Sequence, residues 1–286
     1  MAKSALLKSS ITKKYWMALT GLFLCLFLTG HLLGNLQLIF SDAKHFNEYA
    51  LFMTSNPAVK ILSYLTYLSI IFHAIDGIML AFQNKAARPV GYAKSNPSAN
   101  SSFASRNMAV LGTVILIFIV THMVNFWAKM HFDKNMPLAS KEISNMGVTQ
   151  KMAIGILGSP NPMFPLTPEG TIDPMTLKQY RLVQKDLTTI TDEKGEVIFV
   201  GMKDLHKITV AFFKDAKTGL MATLLYVAAM LVLAFHLLHG FQSAFQSLGA
   251  TSRKFTPAIK FFGTAFAIVV PALFAAIPVY IHFFLK

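Results

Sequence analysis

Five stretches of this chain are apolar for longer than about 18 residues, the length a helix needs to cross the hydrocarbon core of a bilayer. They run over roughly Trp16–Phe40, Ala58–Phe82, Met108–Lys129, Gly219–Phe245 and Pro257–Leu285. Their interiors are Leu, Ile, Phe, Val and Ala, with glycines that let helices or a cofactor approach closely. A composition of 54% apolar and 14% charged residues over 286 positions fits this reading better than a soluble domain. Tyr15, Trp16 and Trp127 stand near span ends, as interfacial aromatics do, and Pro271 with Pro278 predicts a kink in the fifth span. The basic N-terminus imitates a secretory signal, but the apolar run behind it is too long, so it reads as a retained first span. The expected fold class is an all-α membrane protein, a five transmembrane helix bundle. Residues 1–130 carry helices 1–3, residues 131–217 an extracytoplasmic polar insertion, and residues 218–286 helices 4 and 5.

Orientation follows from the loops, because short cytoplasmic segments are rich in Lys and Arg. With the N-terminus inside, the inner segments hold Lys3, Lys8, Lys13 and Lys14, then Lys85, Arg88, Lys94 and Arg106, then Arg253, Lys254 and Lys260, and no Asp or Glu. Every acidic residue except Asp76, which lies within the second span, then falls on the opposite face. Within a net charge of +13, a basic face confined to loops that flank a membrane points to anionic lipid and topology, not to nucleic acid.

The polar segment from about His131 to Lys217 contains the turn-forming run Ser159-Pro160-Asn161-Pro162. A hairpin is expected at Asp192–Glu196, between Leu187–Ile190 and Val197–Val200. Neither a catalytic motif nor a phosphate-binding or dinucleotide fingerprint occurs, and no catalytic residue is assigned.

The chain has nine histidines, and their depth is the informative property. Ionisable residues inside spans are costly and usually face a bundle interior, a cofactor or a pathway. His31, His73, His122 and His236 lie one each in the first four spans. His31 and His122 are about 14 residues from the inner end of their spans, His73 and His236 about 9, or roughly 21 Å and 14 Å. Two level pairs on different helices are what two bis-imidazole haems at two depths require. Gly77 and Gly240 follow His73 and His236 by one turn on the same face, leaving room for a macrocycle. The single cysteine, Cys25, excludes a Cys-ligated cluster built from this chain alone, and without a C-x-x-C-H motif any haem is b-type. A histidine that only hydrogen-bonds a neighbouring helix is the plainer alternative for each residue taken singly. Matched depths across four spans favour ligation.

Ala18-Leu19-Thr20-Gly21-Leu22-Phe23 leading to His31-Leu32-Leu33-Gly34-Asn35, His73-Ala74-Ile75-Asp76-Gly77, Thr121-His122 before Phe126-Trp127, and Phe235-His236 before Gly240 carry a family resemblance. In that order, one per span, they resemble the five-span, single-subunit, dihaem cytochrome b anchor of succinate dehydrogenase and menaquinol:fumarate reductase. The resemblance covers the spans and short loops but not residues 131–217. It implies two haems b with His31, His73, His122 and His236 as axial ligands, which the depths divide into His31 and His122 on the outer haem and His73 and His236 on the inner one, and quinone as substrate, by resemblance menaquinone. It also implies an iron–sulfur subunit and a flavoprotein subunit on the cytoplasmic side. The chain would then be the quinone-reactive subunit of the enzyme, without a dicarboxylate active site of its own. The expected location is a bacterial inner (cytoplasmic) membrane, multi-pass, with the N-terminus cytoplasmic and the C-terminus extracytoplasmic. Some dihaem members carry a membrane Glu two residues before the fourth ligand; here that position is Ala234.

A quinone site needs a proton donor or acceptor, and Glu48, His45 and Asp76 are the candidates, each of which could equally be a solvated or helix-end residue. Two other classes stay open. A cytochrome b anchor of a hydrogenase or formate dehydrogenase would have the same haems and another partner. A proton-coupled transporter using these histidines or Asp76 would have none.

Overall fold

Residues 10–90, 96–145 and 147–286 are described by a computed structural model of the chain. The basic residues Lys3, Lys8 and Lys94 lie outside the described residues. Among those described, five helices are long and apolar enough to cross a membrane: Ile11–Phe40, Pro57–Ala86, Met108–Phe132, Gly219–Ser247 and Thr256–Phe283. Their outward faces are large and apolar, with Leu26, Ile61, Leu225 and Phe261 at least 60% exposed. Burying such faces in lipid is favourable, whereas in water they would form extended hydrophobic patches. The chain is thus read as a multi-pass membrane protein.

Local chemistry accounts for the helix ends. The second span opens on Pro57, whose fixed φ and missing N–H suit the first helical position, and Asn56 before it is extended, as a residue preceding proline must be. The first span is interrupted at Leu36, between helical segments Ser10–Asn35 and Gln37–Phe40. There the Asn35 side chain donates to the His31 carbonyl at 2.7 Å, a local bond that competes with the helical ladder. The third span changes register after His122: Met123–Ala128 forms a π-helix before α-helix resumes over Lys129–Phe132. The fifth span runs on through Pro271 and Pro278, both buried.

The chain divides into two compact units, one of Met1–Leu36, Ala58–Val120 and Met221–Lys286, the other of Gln37–Pro57 and Thr121–Leu220. In the first unit Cys25, Ala229, Met230, Leu233, Leu237 and Ala267 form a buried cluster, with Ile115 and Phe118 of the third span packed against it. Small residues there let the helices come close.

The second unit departs from an all-α description, because residues 131–217 carry two three-stranded antiparallel sheets. The first joins β1 (Ser140–Asn145), β2 (Val148–Ile154) and β3 (Met163–Pro165); the second joins β4 (Val183–Gln184), β5 (Thr189–Thr191) and β6 (Val197–Val200). β5 and β6 are the expected hairpin. Asp192 Oδ1 accepts the N–H groups of Lys194 and Glu196, and Gly195 takes the positive φ of 85° that the turn demands. Leu138, Ala153, Phe164, Leu166, Ile172, Ile190 and Phe199 make up the core of this unit.

A helix over Ala43–Ser55, capped by Asp42, joins the same unit by packing on a second helix, Leu205–Lys214, capped by Asp204. Their junction is polar. Asn47, 2% exposed, donates to Asp204 Oδ1 at 2.8 Å and accepts the His206 N–H at 2.9 Å, which satisfies both ends of its buried amide. Burial lowers the His206 pKa below its ordinary value, against the opposing pull of Asp204 and Asp42.

Candidate functional site

His73 of the second span and His236 of the fourth come together in the first unit, with ring centroids 6.2 Å apart and planes at 68°. No hydrogen bond joins the two rings. His73 Nδ1 lies 3.2 Å from the hydroxyl of Thr20, on the first span. His236 Nδ1 is buried and has no hydrogen-bond partner. Both rings are seated against glycine. A Cβ at Gly21 would stand 3.2 Å from His73 Cε1, and one at Gly112 would stand 3.7 Å from His236 Cε1. Gly21 therefore permits a close approach that a side chain would crowd by a few tenths of an ångström.

These dimensions suit one metal ion between two imidazoles. Imidazole nitrogens bind such ions at about 2.0 Å, so rings on opposite sides of one ion have centroids about 6 Å apart. A direct hydrogen bond between the rings would draw them closer. Among the described residues no group of three or more His, Cys, Asp or Glu is placed to hold a metal ion without such a cofactor. The donor set is a pair of imidazoles, and residues and spacing fit an axially ligated haem.

His31 lies in the same unit, stacked on Phe27 with centroids 5.3 Å apart and tilted against Phe274 of the fifth span at 5.7 Å. Asn35 Nδ2 approaches its Nδ1 at 3.4 Å. His122 belongs to the second unit, at the last α-helical position before the π turn, with Phe126 at 5.3 Å and Phe126 in turn against Phe212 at 5.2 Å. π turns are common at functional positions because they redirect the side chains around them.

The remaining candidates are more open. His45 and Glu48 sit on the Ala43–Ser55 helix, both exposed, and Glu48 pairs with Lys44 at 3.7 Å. Asp76 is half-buried on the second span, three residues beyond His73. Gly77 meets Met17 Cε at 3.6 Å, and Gly240 has nothing within 4 Å.

Thr20, Gly21 and Gly112 are the residues that sequence reasoning passed over as site components. Thr20 and Gly21 stand together in the run that carries the family resemblance. Gly112 has no local signal beyond being a small residue in a span otherwise filled by Val, Leu and Ile. No family model matches the chain, and no curated protein and no solved structure does either.

Proposed function

We propose that this chain is a dihaem b-type cytochrome that anchors a succinate:quinone oxidoreductase and carries electrons between a membrane quinone and an iron–sulfur subunit. The observation that carries the reading is the His73–His236 pair, two imidazoles from different spans at metal-sharing distance and with no hydrogen bond between them. His31 and His122, level with each other by residue count, are the proposed ligands of the outer haem. When bound, the haems supply one-electron redox chemistry that no side chain of this chain offers. The protein's part is to present imidazoles from different spans and, at His73, to set a hydroxyl against the outer nitrogen. The partners belong to the same proposal: an iron–sulfur subunit and a flavoprotein docked on basic cytoplasmic loops, and menaquinone within the bilayer.

An absorption spectrum of the purified, dithionite-reduced protein tests the reading. Sharp b-type bands support it, and their absence from a folded preparation would leave the transporter class. Copurifying subunits separate a succinate:quinone oxidoreductase from a hydrogenase or formate dehydrogenase anchor.

Two outcomes are expected of the complex. Because the inner loops are basic and free of acid, a reporter fused after Lys286 or inserted near Asp173 should be extracytoplasmic. A cytoplasmic signal from either would overturn the proposed orientation. Glu48→Gln keeps the size of an exposed carboxylate and removes its charge. If Glu48 handles the quinone proton, quinone-linked turnover falls about tenfold or more while artificial-dye activity and haem content persist. Unchanged quinone turnover removes Glu48 from the quinone site.

A further inference from the structure

We infer that Thr20 is a positioning residue for His73: its hydroxyl holds the proton on His73 Nδ1 and so turns Nε2 toward His236. The inference rests on the haem reading above and deepens it by naming the group that sets the electronic character of one ligand.

Thr20 is buried, 7% exposed, and its Oγ1 has short-range partners. Around it lie the Trp16 carbonyl at 2.7 Å, the Met17 carbonyl at 3.3 Å and His73 Nδ1 at 3.2 Å, and the Met17 backbone interacts with His73 as well. A hydroxyl has one proton to give. Carbonyls only accept, and the 2.7 Å separation marks Trp16 as the recipient. Toward His73 the same oxygen can then only accept, so Nδ1 is the protonated nitrogen and Nε2 keeps its lone pair. That is the tautomer a metal ligand needs.

Thr29, Ser63, Thr66 and Thr113 each donate back to the carbonyl four residues earlier, as hydroxyls in membrane helices commonly do. Thr20 makes the same bond and also meets an imidazole from another helix. Gly21 completes the seat, since a side chain there would press on His73 Cε1. His236 differs: its Nδ1 has no partner at all. The two ligands of one site are therefore unequal, one polarised through its outer nitrogen and the other not.

An acceptor on Nδ1–H raises the basicity of the ligating nitrogen and favours the oxidised metal. Loss of the Thr20 acceptor should then raise the midpoint potential of one haem and leave the other where it was.

The experiment compares purified wild-type protein with Thr20→Val, Thr20→Ser and Thr20→Cys, together with Thr66→Val as a control that removes a back-bonded hydroxyl without a histidine. Haem content is measured first, then each haem's midpoint potential by spectroscopic redox titration and its low-spin electron paramagnetic resonance signal. Thr20→Val should keep both haems, shift one potential upward and change only that haem's resonance. Thr20→Ser should restore the wild-type values, and Thr66→Val should match wild type. If the valine variant does not assemble, Thr20→Cys, of similar size and a weaker acceptor, should give an upward shift of the same haem. Haem present with unshifted potentials and signals in both the valine and cysteine variants would overturn the role of Thr20 while leaving the haem reading standing. A folded wild-type protein without haem would remove the haem reading itself.

Discussion

His73→Ala and His236→Ala are each expected to abolish the same haem component, the inner one, while the other component remains. If the two rings, 6.2 Å apart, are the axial ligands of one haem as proposed, removing either imidazole opens an axial position. The surviving histidine cannot supply the second bond. His31→Ala and His122→Ala should remove the complementary component. His239, one turn along from His236 and half-buried, is the rival ligand in the fourth span. His239→Ala should leave both haems in place. Reduced-minus-oxidised spectra at low temperature, which resolve the two components, check the whole set. If His31→Ala and His73→Ala removed the same component, or His239→Ala abolished a haem that His236→Ala spared, the pairing would be wrong even in a dihaem cytochrome.

Phe199→Ala should disable the polar unit. Phe199 is fully buried on β6, with its ring 5.5 Å from that of Phe164 and against the backbone of Gly201, where a Cβ would meet the ring at 3.0 Å. Truncating so enclosed an aromatic removes its transfer free energy and leaves a cavity, at a cost of about 3–5 kcal/mol. A small unit with two short sheets has little stability to lose. Limited proteolysis within residues 133–215 should accelerate by about a hundredfold or more, reporting the population of the opened state. Cleavage at the wild-type rate would show that this core does not hold the unit together.

What could be read from the sequence was whatever repeats over many residues. The spans were legible because 18 or more apolar positions leave few other folds, and their boundaries moved by only a few residues. The β5–β6 hairpin was legible because Asp192 and Gly195 supply turn chemistry between two β-prone runs. The Ala43–Ser55 helix was not, since its residues read as a polar loop and its partners, Asp204 and His206, lie far away along the chain. The sheet of β1, β2 and β3 was missed for a similar reason: Ser140–Asn145 is polar and half-exposed, without clean alternation. The π turn after His122 changes hydrogen-bond register without any compositional mark. At the candidate site the histidines stood out because ionisable groups are rare in apolar runs. Thr20 did not, because a hydroxyl in a span is ordinary until the other helix is seen to bring a ring to it.

Asn47 and Asp204 are hydrogen-bonded across 157 residues of chain. At a synthesis rate of about 5–20 residues per second, roughly 8–30 s separate the appearance of the Ala43–Ser55 helix from that of its partner. During that interval Phe46, Asn47 and Ala50, all buried in the finished unit, lack the Leu205–Lys214 helix on which Ala43–Ser55 packs. A fragment of residues 131–217 made on its own would lack this helix and leave the Asp204 and His206 end of the unit uncovered. Completion of the polar unit is therefore a late event in the life of the nascent chain, one that cannot occur until the segment after the third span has been made and meets a helix already waiting.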